Sequence, residues 1–172
     1  MLAALALRLP DVTSHVGTAE DIPLEDASVD AVLLAQAWHW VDPDVAGPEV
    51  ARVLRPGGVL GLLWNSRDST VPWVADLYRV AGEPVRERGN ADGPLRVPGA
   101  FATLEQRTVD NPHRLPDAAA VGRLAGTWSW VRTAPDPEQL MAGVVEVAAR
   151  NTQPDGSIVI PQQTECFRLR RL

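Results

Sequence analysis

Lysine is missing from this 172-residue sequence: all sixteen basic residues are arginine. Cysteine is nearly missing. The single Cys166 excludes an internal disulfide and any cysteine-based metal cage. His15, His39 and His113 stand far apart with no ligand spacing, so the sequence predicts no metal site. Positive charge is in deficit, and the net charge of -6 argues against a general affinity for nucleic-acid phosphates or an anionic membrane. No apolar run reaches the roughly 20 residues of a membrane span. "MLAALALRL" has neither the basic start nor the small-residue cleavage site of a signal peptide. Arginine-only usage, with abundant Ala, Gly, Pro and Val, points to a GC-rich genome and a cytoplasmic bacterial protein.

What is present suits one domain with a single sizeable core. Residues 1–9 place Met1, Leu2, Leu5 and Leu9 on one helical face, but no Ser, Thr, Asp or Asn precedes them as a cap. "VTSHVGTAEDIP" reads as a short strand closed by a turn. "SVDAVLLA" (Ser28 to Ala35) is a nearly continuous apolar run, expected to be a strand buried on both faces. A helix follows, capped by Asp42 or Asp44 and ended by Gly57 and Gly58. Pro48 should kink that helix or delay its start to Gly47. "VLGLLW" (Val59 to Trp64) is the next strand. Strand, helix, strand is a βαβ unit, so both strands run parallel and end at one edge of the sheet. Ligands of open α/β sheets bind outside that carboxyl edge. There "QAWHW" and "WNSRD" should face one another.

Farther on, a helix is expected from Pro72, a Gly/Pro-rich loop at "RGNADGPLRVPGA", and a strand at "FATLEQRTVDNPHRL". Two helices should follow in "PDAAAVGRLAGTW" and "PDPEQLMAGVVEVAARN", then a closing strand in "GSIVIPQQTECFRLRRL".

The stretch "GTAEDIPLEDASVDAVLLAQAWHWVDPD…EVARVLRPGGVLGLLWNSRD" resembles the class I S-adenosylmethionine-dependent methyltransferases, specifically the type 11 small-molecule group. The resemblance is carried by the acidic turn "AEDIP", by "VDAV" opening a strand, and by "RVLRPGG" before the next. It implies an incomplete Rossmann-like α/β fold, mostly parallel, with an antiparallel strand pair at the C-terminus. The chain would be one N-terminally incomplete domain over 1–172. Residues 1–68 form the cofactor-side half, and 69–172 the C-terminal half with acceptor-side elements. In the family's strand numbering, the strands from Val29 onward should lie in the order 4-5-7-6. The family's glycine-rich G-x-G-x-G turn and ribose-binding acid have no counterpart in these 172 residues. The expectation is therefore a chain lacking the family's first strand, helix and second strand, through a misassigned start.

The resemblance implies methyl transfer from S-adenosylmethionine to a small organic acceptor; charge and composition, as above, predict no nucleic-acid or membrane partner. The alternative is a non-catalytic remnant or binding module. By the same resemblance, Ala19, Glu20 and Asp21 would lie at the adenine, against a plain reading as a solvated turn. Gln36 and Ala37 would face the methionine end of the cofactor, against an ordinary strand-to-loop transition. Trp40 would face the cofactor or its pocket and Trp38 the acceptor, against core packing of both rings. His39 is the candidate general base, against a hydrogen-bonded structural histidine. Trp64, Asn65 and Arg67 would orient the acceptor, against strand capping and a surface ion pair between Arg67 and Asp68.

Overall fold

The computed structural model describes residues 2–83 and 96–172, in two compact units. Met1, the end of the helix expected from Pro72, and most of the Gly/Pro-rich loop lie outside the described residues. The first unit comprises Met1–Leu63, Gly93–Gln106 and Phe167–Leu172; the second comprises Trp64–Asp92 and Arg107–Cys166.

The first unit carries helix α1 (Leu2–Arg8), strand β1 (Val29–Ala35), a single 3₁₀ turn (Trp38–Trp40) and helix α2 (Pro43–Val53). It also holds most of strand β2 (Leu54–Arg67), the start of β3 (Phe101–Asp110) and the end of β6 (Gln162–Arg171). These four strands form one sheet in the order β1-β2-β6-β3, which is the 4-5-7-6 arrangement the resemblance implies. β1 and β2 run parallel, as the βαβ pattern requires, with Ala31 opposite Val59 and Ala35 opposite Leu63. The end of β6 meets the start of its neighbours: Leu172 N–H donates to the Ala100 carbonyl (2.8 Å), and the Arg171 guanidinium to the Leu54 carbonyl. The start of β6 meets their ends, with Asp68 N–H on the Pro161 carbonyl (3.0 Å) and Asn111 N–H on Gln162 (2.9 Å). β6 therefore runs against β2 and β3, and these two run with β1. The Rossmann-like sheet is mostly parallel with an antiparallel member.

Several local expectations are corrected. "VTSHVG" forms no strand; apart from one bridge between Thr18 and Asp21, the backbone there pairs with no strand. β1 is half-exposed rather than buried on both faces. It ends the sheet order, and its alternation leaves Leu33 72% exposed while Val32 and Leu34 are half-buried. Burial on both faces belongs instead to β2, where Leu60, Gly61, Leu62 and Trp64 are all enclosed. α2 starts at Pro43, not at Gly47: Asp42 caps it, its carboxylate accepting from Asp44 N–H at 2.9 Å. Pro48 is tolerated inside α2, where it lies on the exposed face of the helix. Gly57 and Gly58 do not end the helix. They belong to β2, where Arg55–Gly58 bulge opposite Asp30, and Gly57 takes the left-handed φ of +81° that the bulge demands. One glycine inside α2 is fixed by close approach: a Cβ on Gly47 would come 2.1 Å from the Pro98 carbonyl oxygen.

The second unit contains α3 (Pro72–Val80), β4 (His113–Leu115), α4 (Ala118–Ala125), α5 (Ser129–Arg132), α6 (Pro137–Ala149) and β5 (Ile158–Ile160). Its core gathers Leu77 and Tyr78 of α3, Val121 and Ala125 of α4, Val144 and Ala148 of α6, and Ile158 and Ile160. α4 and α6 lie in the two segments where helices are expected, and the structure shows them capped by Asp117 and Asp136, whose carboxylates accept from Ala120 N–H (2.6 Å) and Gln139 N–H (2.9 Å). The two expected C-terminal strands are each broken in two. Pro112 and Pro161, which have no N–H to offer a ladder, separate β3 from β4 and β5 from β6. The short pieces β4 and β5 then pair with each other, antiparallel. No described helix is long and apolar enough to cross a membrane.

Candidate cofactor-facing site

The carboxyl end of β1 carries a backbone that ordinary residues avoid. Gln36 sits at φ +53°, in the left-handed region, while its N–H still donates to the Leu63 carbonyl of β2 at 2.9 Å. An L-residue held there without glycine costs on the order of 1–2 kcal/mol. Such strained residues cluster at functional sites. The turn it makes throws the chain straight into the 3₁₀ segment Trp38–Trp40.

A 3₁₀ turn advances three residues per turn, so its three side chains diverge. Trp38 points inward, 6% exposed, and its indole N–H donates to the Arg96 carbonyl at 3.2 Å. Trp40 points outward, 69% exposed, with its ring 4.9 Å from that of the exposed His39 and tilted by 45°. Arg96 is also tied to α2: both its terminal nitrogens reach the Asp44 carboxylate, at 2.7 and 2.6 Å, and hold it below the usual carboxylate range.

The acidic turn meets this same edge. Glu20 Oε1 accepts from Asp42 N–H (3.0 Å) at the start of α2. That bond, chief among its causes, lowers the Glu20 pKa, and a helix N-terminus favours the negative charge. Ala19 is half-buried and Asp21 exposed. From Glu20 the chain runs alongside α2 toward its far end, where Ala27 N–H bonds the Arg52 carbonyl (2.9 Å) and Ser28 N–H that of Val53 (2.9 Å).

The structure thus gathers Ala19, Glu20, Asp21, Gln36, Ala37, Trp38, His39 and Trp40 in the first unit. Trp64, Asn65 and Arg67 belong to the second. There Trp64 is buried. Asn65 Oδ1 accepts from Thr164 Oγ1 (2.7 Å) and more distantly from Asn111 Nδ2 (3.4 Å). Arg67 pairs with Glu83 rather than with its neighbour Asp68, and lies over the Tyr78 ring, 4.0 Å from its centre. Tyr78 in turn stacks on Trp128 at 4.7 Å, and burial pushes its hydroxyl pKa up. Among the described residues, no group of three or more His, Cys, Asp or Glu could hold a metal ion.

Sequence reasoning missed Glu49 and Arg52. Their three-residue spacing on α2 signals an ion pair on one helix face, but not what else that pair would hold.

Residues 1–62 match the family model described as a methyltransferase domain. An uncharacterized methyltransferase of Mycobacterium tuberculosis is 47% identical over 98% of this chain and 69% of its own length. An uncharacterized protein of Escherichia coli is 42% identical over 83% of this chain and 66% of its own length. A solved structure from Anaeromyxobacter dehalogenans, described as a candidate type II methyltransferase, is 30% identical over 94% of this chain and 71% of its own, with a TM-score of 0.60. With the sheet order and the acidic turn, these likenesses establish that the chain belongs to the class I S-adenosylmethionine-dependent methyltransferases.

Proposed function

We propose that this chain takes part in methyl transfer from S-adenosylmethionine to a small organic acceptor, with the cofactor lying along the edge formed by Glu20, Gln36 and Trp40. The observation that carries the reading is Gln36: a strained, non-glycine backbone at the carboxyl end of β1, where open α/β sheets bind their ligands.

The residues present suit the adenine and methionine ends of the cofactor. An exposed tryptophan ring offers its face to a sulfonium, and an acidic turn beside it offers acceptors to an exocyclic amine. When bound, the cofactor supplies a methyl group on a sulfur that is already a good leaving group. The chain's own work is then to orient the acceptor in line and to exclude water. Gln36 and Ala37 would fix the methionine end and Trp40 would wall it. His39, exposed beside Trp40, would take a proton from an acceptor whose own acidity does not suffice. Trp64, Asn65 and Arg67 are the acceptor-side candidates.

Gln36→Gly tests this. Relief of the left-handed strain offsets the entropy that glycine adds to the unfolded chain, so stability should stay within about 1 kcal/mol of the parent. Affinity for S-adenosylhomocysteine should nevertheless fall about tenfold, the loss of one good hydrogen bond. Unchanged affinity, measured by NMR titration, would reduce Gln36 to a strand-to-loop transition.

A further inference from the structure

The segment Thr18–Ser28 contains no helix, no strand beyond one bridge, and no buried residue. A hydrophobic core does not hold it. Hydrogen bonds to α2 and its flanks do, and the Arg52 side chain makes three of them.

Arg52 uses all five of its N–H donors. Nε and one Nη2 hydrogen grip the Glu49 carboxylate side-on, at 2.8 Å to Oε2 and 2.7 Å to Oε1. The other Nη2 hydrogen donates to the Ile22 carbonyl at 2.9 Å. Nη1 donates to the Leu24 carbonyl at 2.8 Å and to Asp26 Oδ1 at 2.7 Å. Glu49 closes the loop, because its Oε1 also accepts from Ile22 N–H at 2.8 Å. Arg52, with the Ile22 N–H behind it, holds the Glu49 carboxyl pKa down to about 2, so the carboxylate stays charged far below neutral pH. Ile22 is thereby fixed at both its N–H and its carbonyl, one residue after the Ala19–Asp21 turn.

We infer that Arg52, acting through Glu49, is the positioning residue that sets the backbone of the Ala19–Asp21 turn and so governs how the chain recognises the adenine of its cofactor. The inference rests on the proposed adenine role of that turn. It needs the planar fork of arginine and not merely its charge: an ammonium presents three donors from one point and cannot span a carboxylate, two carbonyls and a second carboxylate.

The test uses the full 172-residue chain and Arg52→Lys, with Glu49→Gln as a second variant should the first fold poorly. Hydrogen exchange is followed at the Ile22, Leu24 and Ala27 amides, with Leu60 and Leu62 as references from the buried strand. Binding of S-adenosylhomocysteine is compared with that of its inosine counterpart, which carries an oxygen in place of the exocyclic amine. The expected result is at least tenfold faster exchange at the Ile22, Leu24 and Ala27 amides, unchanged exchange at Leu60 and Leu62, and a parental preference for the adenosyl ligand that collapses toward equality in the variants. Unchanged exchange at Ile22, Leu24 and Ala27 overturns the clamp itself. Faster exchange with both ligands weakened alike, the preference intact, overturns the positioning role and leaves a structural one. A parent with no preference between the ligands overturns the adenine reading, and the inference with it, even where the exchange rates behave as expected.

Discussion

Trp38→Ala should lower the stability of the chain by about 3–5 kcal/mol, while Trp40→Ala, two residues away, should change it by no more than about 0.5 kcal/mol. The two rings look equivalent in "QAWHW" and are opposite in kind. Trp38 is 6% exposed and gives its indole N–H to the Arg96 carbonyl, so truncation leaves both a cavity and a carbonyl stripped of its partner. Trp40 is 69% exposed and has little burial to lose. Urea denaturation of both variants measures the difference. Equal costs would mean that Trp40 packs as Trp38 does and that its exposure carries no function. The expected contrast has a practical consequence: a change in ligand affinity in Trp40→Ala can be read directly, without correction for lost folding.

The second large effect concerns the cofactor. Isothermal titration of the 172-residue chain with S-adenosylmethionine should give a dissociation constant of hundreds of micromolar or weaker. These residues include no G-x-G-x-G turn and no ribose-binding acid at a strand end. In the family those features supply close backbone approach and two or so charge-assisted hydrogen bonds, worth about 1.5–3 kcal/mol each. Their absence corresponds to roughly a hundredfold or more from a micromolar starting point, since each 1.4 kcal/mol is tenfold. Micromolar binding at one site per chain would show that the remaining edge suffices by itself.

The sequence was most legible where one physical cause acts locally. The apolar runs and the Asp-capped helix between them predicted β1, α2 and β2 and the parallel direction of the two strands, and two later segments were legible as the helices α4 and α6. It was least legible where neighbours decide. "VDAVLLA" reads as a strand covered on both sides, yet its place at the end of the sheet leaves Leu33 in the open, a fact about topology that composition does not carry. Proline misled in both directions. Pro48 on an exposed helix face was tolerated, while Pro112 and Pro161 cut strands that apolar content alone would continue. At the candidate site, the residue types were visible but their directions were not. Only the 3₁₀ geometry separates an inward Trp38 from an outward Trp40, and only the fold brings Ile22, Leu24 and Asp26 within reach of Arg52.

The most direct test of the cofactor-facing edge is a residue-by-residue map, by amide NMR, of the chain titrated with S-adenosylhomocysteine to millimolar concentration. The account predicts that saturable shifts centre on Ala19–Asp21 and Gln36–Trp40. Shifts centred on residues 107–166, or none at any concentration, would contradict it.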